Sequence, residues 1–192
     1  PKATFQKVVA HPRALGMLAV LCLISAIGLG AFFSTQTGRD AWLNAAIVRS
    51  GTQITDQQIA AMEKMTSFMA YGMVAYAVVV TPILLALVSG LLYAIFNAAM
   101  GGTATFKQIF SVLVHAWVIP TAWALFTLPL AYAKGTMTSS TSLAVLLPMI
   151  EESSFLGKFL GAIDFFMIWT VIVLAIGLAV LYRRKTQSIA TT

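Results

Sequence analysis

Long apolar blocks separated by short polar connections make up most of this chain. Charged residues are almost absent from four blocks of about 20 residues or more, at 14–33, 69–96, 109–133 and 161–182. An α-helix needs about 20 apolar residues to cross the roughly 30 Å of hydrocarbon in a bilayer. The pattern therefore predicts an all-α membrane protein with about four transmembrane helices.

The longest polar connection, residues 34–66, has the pattern of an amphipathic helical outer loop. In its first half, apolar side chains recur on one helix face, at Trp42, Leu43, Ala46 and Ile47. A second helix has a clear start signal, because Thr55 can cap it while Gln58 reaches back to the cap residue. Ile54 and Ile59 stand at the two positions of a hydrophobic staple. We therefore expect two short helices outside the spans.

Two features complicate a simple count of four spans. Prolines fall inside the second and third blocks, at Pro82, Pro120 and Pro129, and they predict kinks because proline has no N–H to donate. The eight apolar residues 143–150 are too few to cross a bilayer. We expect that segment to lie at the membrane surface or to enter and return, which would give five membrane segments.

Composition and charge agree with a lipid environment. Apolar residues make up 59% of the chain and charged residues 9%, against about half and about a quarter in soluble domains. The amino terminus, the turn at 97–107 and the carboxyl terminus hold seven bases and no acid, whereas the two other loops hold five bases and five acids. The positive-inside rule then places both termini in the cytoplasm. Because these bases flank apolar blocks, they are orientation signals, and nucleic acid is not an expected partner.

Few residues could carry chemistry. His11 and His115 are isolated, without the spacing of a metal site, and His115 could cap a freed carbonyl in its proline-bearing span. No nucleophile with a base and no facing carboxylates are evident. The sequence therefore predicts a protein that is not an enzyme and that needs no cofactor or metal.

Asp164 is the only acid inside an apolar block, and an ionisable group within a membrane is a candidate for an ion or proton pathway. Counting about 20 residues back from Arg183 puts Asp164 at the outer interface. There it could instead pair with Lys158 or cap a helix.

Other residues are candidates for protein contacts. Small residues one helical turn apart favour close helix packing in lipid, and they occur as two pairs, Gly157 with Gly161 and Ala175 with Ala179. In the outer loop we expect an exposed tryptophan and a Met-rich helix to contact a partner, through Trp42, Met62 and Met65. The expected partners are membrane lipid and either another membrane protein or a second copy of this chain.

Several segments resemble one family. The turn GGTATFKQIF (101–110) and the ending AIDFFMIWTVIVLAIGLAVLY (162–182) are similar to the bacterial branch of the Yip domain (Ypt-interacting protein) family, as are HPR, GRDAW and ITDQQIAAME. The resemblance implies a small all-helical domain with four or five membrane segments, in a bacterial inner membrane, and it supplies no catalytic residues. In eukaryotes the family is linked to vesicle trafficking and prenylated small GTPases. Some bacterial relatives are associated with ABC-type exporters.

Two hypotheses of function follow. The first is a non-enzymatic membrane scaffold or accessory subunit of a larger membrane complex, with an ABC-type exporter as the candidate complex. The alternative is a small transporter or channel subunit that uses polar groups in proline-bearing spans, together with His115 and Asp164. A fold alone does not decide between such functions.

Overall fold

A computed structural model describes residues 1–50, 55–99, 101–137, 141–147, 149–150, 154–183 and 189. Within these residues every regular element is helical, apart from one isolated β-bridge. The α-helices are α1 (Lys2–Ala10), α2 (Leu15–Ser34), α3 (Gln36–Ser50), α4 (Asp56–Thr66), α5 (Met69–Ala75), α6 (Thr81–Tyr93), α7 (Phe106–Ala116), α8 (Val118–Lys134), α9 (Phe155–Ala162) and α10 (Phe165–Tyr182). Two π-helical turns, Tyr76–Val80 and Ala94–Ala99, and one 3-10 turn, Leu143–Leu146, complete the described elements.

Four stretches of the described chain are long and apolar enough to cross a bilayer. They have mean hydropathies between 1.8 and 2.5 and are Leu15–Ser34, Met69–Ala98, Phe106–Lys134 and Phe165–Tyr182. The all-α membrane fold with four spans is therefore confirmed. Successive spans run in opposite directions, so α1, the turn into α7 and the end of α10 meet at one end of the bundle. We call this the basic end, and we call the opposite end, which carries α3, α4 and α9, the loop end.

The helix of the second span is rearranged just before its proline. In a regular helix the ring of Pro82 would press on the carbonyl of Val78. A π-helical turn, Tyr76–Val80, replaces the regular geometry, and the N–H and the hydroxyl of Thr81 both reach the Tyr76 carbonyl, the hydroxyl at 3.2 Å. The wider turn accommodates the ring while the backbone stays bonded within the span.

The third span is broken into α7 and α8 at Trp117, in agreement with the irregularity that its prolines predict. Pro120 is the third residue of α8 and offers no N–H to the Ala116 carbonyl. At the break, the N–H and the hydroxyl of Thr121 both donate to the Trp117 carbonyl, at 3.2 and 3.1 Å. Lipid tolerates such breaks where nearby groups bond the backbone.

Three buried clusters hold the spans together along their length. At the basic end, α1 packs across α7 and α10 and buries Phe5 and Val8. The apolar pattern of the sequence does not predict this helix. The middle cluster includes Leu21, Leu85 and Val114. The loop-end cluster consists of Phe32, Phe33, Ala41 and Met69.

The corner between α2 and α3 is held by direct backbone contacts. Arg39 Nη1 donates to the carbonyls of Phe33 and Ser34 at 3.2 and 2.8 Å, which satisfies two acceptors at the end of α2. Gly38 lies so close to α2 that a Cβ atom there would stand 2.1 Å from the Phe32 carbonyl oxygen. Only glycine fits at this position.

The connection 34–66 contains the two helices expected, α3 and α4. The capping box of α4 is confirmed, because the Gln58 N–H donates to Thr55 Oγ1 at 3.3 Å and the Thr55 N–H donates to Gln58 Oε1 at 3.0 Å. Ile54 lies outside the described residues, so the hydrophobic staple stays a prediction.

Backbone hydrogen bonds hold the residues that follow α8, 141–143, beside the start of α10. The Leu143 N–H donates to the Ile163 carbonyl at 2.9 Å, and the Phe165 N–H donates to the Thr141 carbonyl at 3.0 Å. The described residues between these two bonds include a 3-10 turn, Leu143–Leu146, and α9. The location of residues 143–150 at the membrane surface stays a prediction.

The corner at Gly38 gives a test of the fold. We expect Gly38→Ala to lower the free energy of unfolding by about 1–3 kcal/mol, the usual range for overpacking, since the new methyl group would collide with the Phe32 carbonyl. Gly72→Ala in α5 is the matched control, because a Cβ atom there meets nothing within 4 Å. Denaturant titration in a mild detergent, followed by circular dichroism, measures both. Equal midpoints for the two variants would contradict the packing described for this corner.

Candidate functional site

Asp164 caps α10 at the loop end. Its Oδ1 accepts the Phe166 backbone N–H at 2.7 Å, and the Thr141 hydroxyl donates to its Oδ2. Trp123 Nε1–H donates in turn to Thr141 Oγ1 at 2.9 Å. A carboxylate at a helix N-terminus satisfies an N–H that has no intrahelical partner, and the helix dipole favours its charge. This cap divides the apolar block 161–182, because α10 begins only after Asp164. The side chain of Lys158, which the sequence offered as a partner for Asp164, is not among those that the structure describes.

His115 is half-buried near the end of α7. Its Nδ1 lies 2.7 Å from the Ser111 carbonyl oxygen; since a carbonyl only accepts, Nδ1 carries the proton in this contact. The Ser111 side chain is fully buried, and its Oγ has no hydrogen-bond partner in the described part of the chain. The imidazole thus bonds to its own helix, while one buried hydroxyl beside it stays unpaired.

The structure does not bring Asp164 and His115 together. At a rise of about 1.5 Å a residue, His115 lies roughly 14 Å from the start of α7 at the basic end. Asp164 lies roughly 27 Å from the end of α10, which is near the opposite face of the bilayer. The two side chains therefore belong to separate levels of the bundle.

The two small-residue pairs have different surroundings. Ala175 and Ala179 are each 5% exposed and pack in the basic-end cluster with Phe5 and Val112. The Gly157 N–H donates to Ser154 Oγ at 3.0 Å and so starts α9. Gly157 is itself buried, whereas a Cβ atom at Gly161 would meet nothing within 4 Å. The first pair therefore serves contacts within the chain, and in the second pair only Gly161 is open.

The expectation that Trp42 is exposed was wrong. Its side chain is half-buried and packs on the loop-end cluster, because α3 folds back on the end of α2 at the Gly38 corner. Met62 is half-buried and Met65 is 62% exposed. None of the residues of α4 is buried, so a partner could reach this helix from outside.

The basic end contains a cleft that the sequence does not predict. It has a volume of about 650 Å³ and lies between α1, α7 and the end of α10, with a lining of Gln6, Val9, Ala10, Gln108, Ala179, Val180 and Arg183. Gln108 joins two of the walls: it closes a capping box with Thr105 at the start of α7, and its Nε2–H donates to the Val9 carbonyl at 3.4 Å. The Thr-x-x-Gln pattern in TFKQ was a signal for the start of α7, but nothing in the sequence placed α1 against it.

A polar contact beside the cleft closes the bundle at this end. The Tyr182 hydroxyl donates to Asn97 Oδ1 at 2.8 Å, and Asn97 Nδ2–H donates to the Ala104 carbonyl. The ring of Tyr182 stacks on Phe96 at 5.3 Å. At Gly102 a Cβ atom would stand 2.5 Å from the Tyr182 ring, so the turn into α7 passes directly over the end of α10.

Comparisons with known proteins place the whole chain in one family. The family model of the Yip1 domain matches residues 1–192. No curated protein and no solved structure matches the chain. In the described residues, no three His, Cys, Asp or Glu side chains are grouped so that they could hold a metal ion.

The cap at Asp164 makes a testable prediction. We expect Asp164→Ala to lower the free energy of unfolding by about 0.5–2 kcal/mol, the usual effect of losing an N-cap, and Asp164→Asn to keep most of the stability because asparagine caps equally well. Asp40→Ala, at an exposed acid of α3, is the control and should change stability by less than about 0.5 kcal/mol. Denaturant unfolding in detergent measures all three. If Asp164→Asn lowers the free energy of unfolding as much as Asp164→Ala does, the stabilisation comes from the charge of Asp164 and not from its role as a cap.

Proposed function

The chain belongs to the Yip1 domain family, and on that premise we propose that it is a non-enzymatic membrane scaffold or accessory subunit of a larger membrane complex. It is a multi-pass membrane protein; we propose further that it resides in a bacterial inner membrane with both termini in the cytoplasm. An ABC-type exporter is the first complex to test as its partner.

The observation that carries this proposal is the unburied helix α4. No residue of α4 is buried, and Met65 near its end is 62% exposed. The exposed surface continues past the helix, where Phe68 and Tyr71 are exposed by 68% and 78%. An isolated helix as short as α4 is marginal in water. Its capping box and its attachment to α3 and α5 keep it in place. The methionine side chains of α4, Met62 and Met65, suit contact with another protein, because flexible Met side chains adapt to varied surfaces.

The polar candidates support the same proposal. Both described contacts of the Asp164 carboxylate organise the backbone and loop at the start of α10. His115 bonds to a carbonyl of its own helix. Groups engaged in this way favour a structural role over proton or ion transfer.

The alternative, a small transporter or channel subunit, is favoured by one observation. Ser111 Oγ is buried without a described partner, one turn from His115 and close to the break at Trp117. A buried unpaired hydroxyl is costly, and water or a passing ion would relieve that cost. Pro120 adds a further polar group near this break, because it has no N–H to donate to the Ala116 carbonyl.

Purification of the tagged native protein in mild detergent tests the scaffold proposal. We expect one membrane complex to co-purify at a stoichiometric level. The double variant Met62→Gln with Met65→Gln should reduce that recovery about tenfold or more, as expected for loss of a central contact worth over about 1.4 kcal/mol. Met149→Gln is the matched control, since Met149 is 96% exposed at the loop end but lies outside α4, and it should leave recovery unchanged.

Recovery of the chain alone, as a monomer, would contradict the scaffold proposal. Ion or solute flux by the purified chain in proteoliposomes would then support the transporter alternative, provided that Asp164→Asn or His115→Ala abolishes it. Flux that neither substitution alters would leave both polar candidates without a role in transport.

A further inference from the structure

The cleft at the basic end has an amphipathic lining. Its apolar wall consists of Val9, Ala10, Ala179 and Val180, and its polar groups come from Gln6, Gln108 and Arg183. The two alanines leave the space that larger side chains would fill, and a volume of about 650 Å³ lies within the range of small-molecule sites. The ligand that fits such a lining is itself part apolar and part polar.

The depth of the cleft matches the headgroup level of a bilayer. Ala179 and Val180 belong to the last turn of α10, which ends at Tyr182 together with the last apolar block. Because α10 spans roughly 27 Å at 1.5 Å a residue, its two ends lie near the two edges of the hydrocarbon. The apolar wall therefore faces the edge of the hydrocarbon, and Arg183 stands at the level of the lipid phosphates.

Charge at this end has one sign. Residues 1–13, 97–108 and 183–192 hold seven bases and no acid, whereas the remainder of the chain holds five bases and six acids. Because the sequence of these three segments contains no Asp or Glu, their net positive charge attracts an anion. Basic residues next to spans attract anionic lipids in this way.

Arg183 ends α10 in an unusual conformation. Its φ is 52°, and within the described residues it is the only residue other than glycine with a positive φ. Its N–H donates back to the carbonyls of Ala179 and Val180. Glycine is the usual residue at such a helix end because a Cβ atom is strained there. Glycine could end the helix here without that strain, so what the arginine adds is a charged side chain beside the cleft.

We propose that this cleft binds the headgroup of an anionic phospholipid, with Arg183 contacting the phosphate. The amide groups of Gln6 and Gln108 provide further donors at the polar side, and the wall formed by Ala10, Ala179 and Val180 receives the glycerol and first methylene groups. A free phosphate ion would use the charge but not the apolar wall. This site is independent of the partner surface on α4, which lies at the loop end.

The test uses the full chain, delipidated in a neutral detergent, and native mass spectrometry with added phosphatidylglycerol or phosphatidylcholine. We expect phosphatidylglycerol to bind about tenfold or more tightly than phosphatidylcholine, and Arg183→Gly to reduce its affinity about tenfold, as for loss of one charge-assisted contact. Arg183→Gly also relieves the strained backbone, so its unfolding temperature without lipid should not fall. Lys64→Gln, at an exposed base on α4, is the control and should leave lipid binding unchanged.

A second variant tests the cleft itself. Ala10 is exposed yet lines the cleft, so Ala10→Leu should fill the space without disturbing the core and should also weaken phosphatidylglycerol binding. Inorganic phosphate at millimolar concentration should not displace the lipid. Equal binding of the two lipids, unchanged binding in Arg183→Gly or in Ala10→Leu, or displacement by inorganic phosphate would each overturn the proposal.

Discussion

Inside a bilayer no water is available to bond the backbone, and the irregular features of this structure follow from that constraint. Beside a proline in the second span and another in the third, a threonine adds a second bond to a backbone carbonyl of its own span, Thr81 to that of Tyr76 and Thr121 to that of Trp117. At the loop end, Arg39 donates to the last carbonyls of α2, and the Asp164 carboxylate accepts the Phe166 N–H in the first turn of α10. Polar side chains at span ends thus complete the backbone bonding that the helices themselves cannot provide.

The same constraint accounts for the contacts made by the polar residues that are candidates for function. An ionisable group in lipid is expensive unless it is bonded, and Asp164 and His115 each bond to groups that organise the local backbone. Ser111 is the exception within the described residues, since its buried hydroxyl has no partner. The unpaired hydroxyl of Ser111 is the observation that favours the transporter alternative.

How much the sequence could predict depended on the range of the interactions involved. The four spans follow from composition alone, and the capping box at Thr55 follows from residues three apart. The burial of Trp42 does not, because it results from the close approach of Gly38 to the Phe32 carbonyl in another helix. The basic-end cleft depends on α1 packing across α7 and α10, which no local pattern indicates.

The two surfaces proposed to bind other molecules lie at opposite ends of a bundle about as long as a bilayer is thick. The unburied helix α4 is at the loop end, and the cleft beside Arg183 is at the basic end. If the bases face the cytoplasm, as the positive-inside rule requires, the partner contact is outside and the lipid contact is inside. Between them three buried clusters pack the spans against one another. A lipid held by Arg183 would fix the depth and tilt of the bundle, and hence the height at which α4 meets its partner.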